Sequence, residues 1–196
     1  MSKNSAWKEF FDEVGGISYF TARFFREGLR PRYEWQELFR QCYIIGYKSL
    51  PLVGITGAIM GMVLTVQSRP TLAEFGAESW LPSMVAISVV REIGPVITAL
   101  ICAGKIGSSI GAELGSMKVT EQIDAMEVSG TNPFKYLVVT RVLAATLMLP
   151  VLVVLADALA LYSSYIGVNL KDVVSFKLYA NQVFDSLEYS DLLPAF

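Results

Sequence analysis

The chain has 196 residues, with 16 Lys and Arg against 18 Asp and Glu and a formal net charge of −2, so no basic excess is available to condense on a nucleic-acid backbone. It holds no histidine and two cysteines, Cys42 and Cys102, which excludes Ser-His-Asp and Cys-His catalysis, His-ligated zinc, a four-thiolate metal site and a disulfide framework. Hydrophobic residues make up 53% and charged residues 17%, against about 25% charged in soluble domains, a balance that points to lipid.

Residues 1–49 do not read as a signal peptide, because Glu9, Asp12 and Glu13 interrupt the apolar stretch it would need. Trp7, Phe10, Phe11 and Val14 recur at helical spacing, and Trp35, Leu38, Phe39, Cys42 and Ile45 repeat it, with Lys8, Glu9, Glu37 and Arg40 on the other faces. The pattern predicts two amphipathic helices lying in the membrane interface, separated by Gly28 and Pro31. A soluble helical cap is the other reading; the many Phe and Trp beside Arg and Lys favour the interface.

Three apolar stretches come next. Leu50 to Ser68 is free of charge over 19 residues, roughly 28 Å as a helix. Ser83 to Ala103 is apolar except for Arg91 and Glu92, and Val142 to Val168 carries one charge, Asp157, in 27 residues. They predict an all-α polytopic membrane protein with a transmembrane core over 50–168 made of three transmembrane helices. Along the outer end of the first stretch and the loop after it, Leu64, Thr71, Leu72 and Phe75 fall on one rough face if the helix runs through Pro70, an apolar wall suited to an acyl chain or to plain packing. Gly57 and Gly61 make a G-xxx-G step, and Gly107, Gly111 and Gly115 make two more, spacings that let helices approach closely in lipid.

The intramembrane charges are functional candidates, since a lone charge at mid-depth costs at least about 2.5 kcal/mol on insertion scales. Arg91 and Asp157 lie at similar depths, roughly 12 and 16 Å below the outer edge of their spans, which allows a cross-helix pair; the other charge of the second span then faces lipid or a partner subunit. Arg91 and Glu92 are adjacent and point about 100° apart, which keeps them from satisfying each other. A structural ion pair fixing helix register is the alternative to a functional one.

Between the second and third stretches, Thr120 is placed to cap a short helix, EQIDAMEVS, ended by Gly130 and Asn132-Pro133. Val119, Ile123 and Met126 share one side, while Glu121, Asp124 and Glu127 take the rest. Such a helix near 120–129 is either a docking knob for a soluble partner or a solvated connector. Residues 169–196 include Lys171, Asp172, Lys177, Asp185, Glu188 and Asp191 and cannot span. Lys and Arg number eight in residues 1–49, one in 69–82, four in 104–141 and two beyond 168. That alternation predicts a cytoplasmic N-terminus and 104–141 loop, with 69–82 and 169–196 outside.

The runs VREIGPVITAL from Val90 to Leu100 and AGKIGSSIGAELGSMKVTEQIDAM from Ala103 to Met126, with Asn132-Pro133 and Thr140-Arg141 beyond them, closely resemble the MlaE (YrbE) permease family. Those proteins are membrane subunits of ABC transporters that move phospholipid between the membranes of diderm bacteria. The resemblance implies a homodimeric permease of the bacterial inner membrane, a separate cytoplasmic ABC ATPase and a periplasmic MCE-domain protein. It implies that Glu121, Gln122, Ile123, Asp124 and Met126, with Glu113 upstream, form the ATPase-coupling site. Within such a permease, the wall residues Leu64, Thr71, Leu72 and Phe75 and the intramembrane charges Arg91, Glu92 and Asp157 are the candidates for the lipid path. Family members have five spans, so 169–196 reads as an extracytoplasmic segment before a fourth span.

The chain lacks G-xxxx-G-K-[ST], since Gly104-Lys105 is followed by Ile106, so ATP and Mg are expected on the partner ATPase and no cofactor on this chain. No catalytic or metal residue is expected. Rival readings are a secondary transporter, which would show inverted repeats that the two halves lack, and a non-transporting membrane assembly subunit.

Overall fold

A computed structural model describes residues 3–29, 34–171, 173–188 and 191, with side chains from residue 9 onward. Among the described residues every regular element is helical. Two stretches predicted to be interfacial form α1 (Lys3–Gly28) and α2 (Trp35–Cys42). Gly28 ends α1 as expected, whereas Pro31 and the side chain of Trp7 lie outside the described residues. A π-helical turn, Tyr43–Tyr47, leads toward α3 (Leu50–Glu74), which does run through Pro70. A 3₁₀ turn, Glu78–Trp80, precedes α4 (Leu81–Ser88), and a second π turn, Val89–Ile93, joins it to α5 (Gly94–Val119). Then come α6 (Gln122–Val128), a third π turn (Lys135–Val139), α7 (Thr140–Asn169) and α8 (Phe176–Ser186).

Three of these runs are long and apolar enough to cross a membrane: Trp35–Glu74, Glu78–Val119 and Lys135–Asn169. The second extends well past the predicted end at Ala103, so Gly107, Gly111 and Gly115 lie inside α5 rather than in a loop. Polarity is arranged for lipid as solvent. Ile55, Ile59, Val63, Leu100, Val151 and Ile166 are exposed, while Thr65, Thr98, Ser163, Ser164 and Asp157 are buried. In a bilayer the apolar effect does not drive helices together, so small and polar residues line the seams instead.

The chain forms two compact units. One contains residues 1–41 and 114–144, and the other 42–113 and 145–196. In the first, α1 packs on the Lys135–Val139 turn. In the second, α4 packs on α3 and α8, and the core gathers Leu81, Val85, Val89, Ala160, Tyr179 and Val183. Along α3, Gly57 and Gly61 meet the backbone of Ala156 and Ala160 so closely that a Cβ at Gly57 would sit 2.7 Å from the Ala156 carbonyl oxygen, with still less room at Gly61. Thr65 Oγ1 and Ser164 Oγ, 2.7 Å apart, hydrogen-bond one helical step further along the same seam. Ser175 caps α8 by accepting the Leu178 N–H, and burial holds the Tyr179 phenol above its ordinary pKa.

Candidate functional site

Within the first unit, α6 is a protruding knob. None of its residues is buried; Ile123 and Met126 are half-buried, whereas Glu121, Gln122, Asp124 and Glu127 are exposed. Sharp turns bound it on both sides. Glu121 precedes it in the left-handed region with φ 57°, and Gly130 closes it with φ 81°. Gly130 therefore ends the helix as the sequence implies, because a left-handed C-terminal position strains any residue with a Cβ. The expected Thr120 cap is corrected: its hydroxyl donates back to the Ser116 carbonyl at 2.8 Å, and Glu121 occupies the cap position without a side-chain bond. A threonine one turn after an available carbonyl satisfies its hydroxyl locally, which removes it from capping. Val119 belongs to α5 and is exposed, so it does not join the Ile123–Met126 face. Asp124 is paired with Lys118 at 3.3 Å, both exposed. Glu113 is half-buried in α5.

The chain leaving α6 is gripped by the N-terminal helices. Phe134 lies with its ring centroid 5.1 Å from that of Phe20, edge to face, and the Arg23 guanidinium sits 4.4 Å over it. Asn132 Nδ2 donates to the buried Glu27 at 3.4 Å. Tyr136 donates its hydroxyl to Glu37 at 3.1 Å, and Gln41 Nε2 donates to the same carboxylate at 2.7 Å. Glu37 is thus buried at 6% exposure, whereas the amphipathic pattern places it on the outer face. Its satisfied neighbours explain the difference, since a charge is buried at tolerable cost when its oxygens are hydrogen-bonded. Periodicity finds α2; it has no way to signal a partner about a hundred residues away.

In the second unit, the predicted Arg91–Asp157 pair is absent. Arg91 Nε donates to Asp191 Oδ1 at 2.6 Å. That carboxyl is held below the usual range by the Glu188 backbone N–H and then by Arg91. The Val89–Ile93 π turn gives the physical reason. It closes with the Gly94 N–H reaching the Val89 carbonyl, and the wider turn puts Gly94 rather than Arg91 on the face toward Asp157, a matter of angle that equal depth along the rise does not fix. Gly94, three positions on, is what meets Asp157: no Cβ fits there against its Oδ1. Asp157 is buried at 6% exposure and lines a small cavity with Thr56 and Thr98, and its Oδ1 has no hydrogen-bond partner among the described residues. Glu92 is exposed beside Arg91.

The predicted apolar wall divides. Leu64 and Leu72 are half-buried against the core of this unit, whereas Thr71 and Phe75 are exposed. No single face of α3 presents all four, because one flank of the helix is already occupied by α4.

Comparison with known proteins gives consistent matches. Residues 38–196 match the family described as "Permease MlaE". A probable ABC transporter permease protein of Rickettsia felis is 38% identical over 186 residues, covering 94% of this chain and 71% of its own length. A probable ABC transporter permease protein of Synechocystis is 35% identical over 170 residues, 87% of this chain and 62% of its own. The intermembrane phospholipid transport system permease protein MlaE of Haemophilus influenzae is 36% identical over 170 residues, 85% of this chain and 64% of its own.

Proposed function

This chain belongs to the MlaE family of permeases, membrane components of ABC transporters, and from that premise we propose that it carries phospholipid between bacterial membranes. In this reading it works as a homodimer in the inner membrane, with its N-terminus in the cytoplasm, a separate ATPase below and a periplasmic MCE protein above. ATP and Mg are bound by the ATPase, and this chain supplies the lipid path and the coupling surface.

The observation that carries the reading is α6, a short helix between two spans that exposes acids and half-exposes Ile123 and Met126. A helix whose apolar edge is only half covered by its own chain suits a partner's notch. Orientation is supported by the first unit itself. Helix α1 and the chain before α7 come together through Phe20, Arg23 and Phe134, as two segments on the same side of the membrane must.

The test is Asp124→Lys in the complete transporter. Placing a cation where the partner presents basic groups juxtaposes like charges, and the Lys118 pair it removes is exposed and worth little by itself. Co-purification of the ATPase is expected to fall at least about tenfold. Undiminished co-purification together with undiminished ATP hydrolysis removes α6 from the coupling role.

A further inference from the structure

Helix α6 is joined to the protein by two left-handed turns, at Glu121 and Gly130, and buries no residue of its own. A force on it leaves through α5 on one side and through the segment after Gly130 on the other. That segment is not free: the Phe134 ring is held between Phe20 and Arg23, and Asn132 is held by Glu27. All three gripping residues lie on one helix, α1, which elsewhere exposes Phe10, Phe11, Ile17 and Phe25 along one side. An apolar face of this kind on a helix that also carries arginines suits the headgroup layer of a bilayer.

We propose that α1 is a moving part of the coupling device, with Phe134 the positioning residue that transmits displacement of α6 to interfacial lipid. The proposal rests on α6 being the ATPase-docking helix and adds where its motion goes. The Phe134 ring is a stiff lever, because an edge-to-face contact on one side and a guanidinium over the ring fix its plane. Tyr136, bonded to Glu37, ties the next turn to α2, so α1 and α2 move with the start of α7.

The experiment uses the complete transporter in nanodiscs and reads two quantities: ATPase bound per permease, and lipid-stimulated over basal ATP hydrolysis per bound ATPase. Phe134→Ala is expected to keep the ATPase bound while the stimulation ratio falls about tenfold, the size expected for loss of one aromatic pair and one cation–π contact. Phe134→Tyr keeps the ring and is expected to restore most of the ratio. A purely structural role for Phe134 lowers the yield of complex and leaves the ratio per complex at the wild-type value, and that outcome overturns the proposal. Should Phe134→Ala fail to assemble, Arg23→Gln decides by the same ratio: a fall supports transmission through α1, and no change removes it. Failure of the docking reading is seen separately, in Asp124→Lys retaining its ATPase.

Discussion

The same G-xxx-G spacing occurs on two helices of this chain and meets opposite surroundings. On α3, Gly57 and Gly61 face Ala156 and Ala160, small residues at the same four-residue step, and the two backbones touch. On α5, Gly107, Gly111 and Gly115 have, among the described residues and apart from their own helix backbone, no atom within 4 Å of where a Cβ would project. The spacing therefore creates a smooth stripe, and only a matching stripe makes it a seam. In lipid that distinction matters more than in water, because close van der Waals approach and interhelical hydrogen bonds are what hold helices together. The α3 seam has both, since the Thr65–Ser164 bond continues it.

The largest effect is expected at the closed seam. Gly61→Leu drives a side chain into the Ala160 backbone, which has no flexible end to move aside. A loss of about 3 kcal/mol or more is expected, at the upper end for overpacking, read as a lower Tm of the purified protein in detergent. A Tm within experimental error of wild type would show that α3 and α7 do not touch there.

How far this contrast is legible in sequence depends on distance along the chain. Long apolar runs locate three spans because a helix in lipid must satisfy its backbone internally, a purely local demand. Gly57 and Gly61 are readable as a smooth step, and Gly130 as a stop, for the same reason. What each meets is not readable: Ala156 and Ala160 lie about a hundred residues away and carry no mark beyond being small. The charges fail in an instructive way. Equal depth allows Arg91 to meet Asp157, but the wider π turn puts Gly94 on that face, and Asp191, in a tail that reads only as unable to span, takes the place of Asp157. Periodicity points Glu37 outward because its partner, Tyr136, is supplied by a distant turn. The grip on Phe134 leaves no local signal except the aromatic richness of α1.

An intermediate effect belongs to the ion pair at the second span's π turn, where Arg91 meets Asp191. The Asp191 carboxyl is held low, first by the Glu188 N–H and then by Arg91. A carboxyl depressed in the folded state stabilises fully above its unfolded value, about pH 4, and that contribution is lost as pH falls through the folded value. Asp191→Asn should therefore lower the Tm at neutral pH by less than Gly61→Leu does, and the gap to wild type should close on acidification. A gap that stays constant from neutral to strongly acidic pH would remove the pair as its cause.

The smallest effect, and the one of opposite sign, is expected on the open stripe. Gly111 sits in the middle of α5, and Gly111→Ala meets no other element among the described residues. What it changes is the backbone: alanine restricts the unfolded chain and removes a helix-interior glycine, which favours the helix by about 0.5–1 kcal/mol. The Tm of the isolated protein should stay the same or rise slightly, where the corresponding Gly57→Ala, 2.7 Å from the Ala156 carbonyl, lowers it. Bulk added at Gly111 then separates two origins of the stripe. If Gly111→Leu also leaves the Tm untouched but splits a dimer seen by crosslinking, the stripe is a seam whose matching face lies on a second copy. If Gly111→Leu lowers the Tm of the monomer as Gly61→Leu does, the two stripes are alike and the contrast between them is gone.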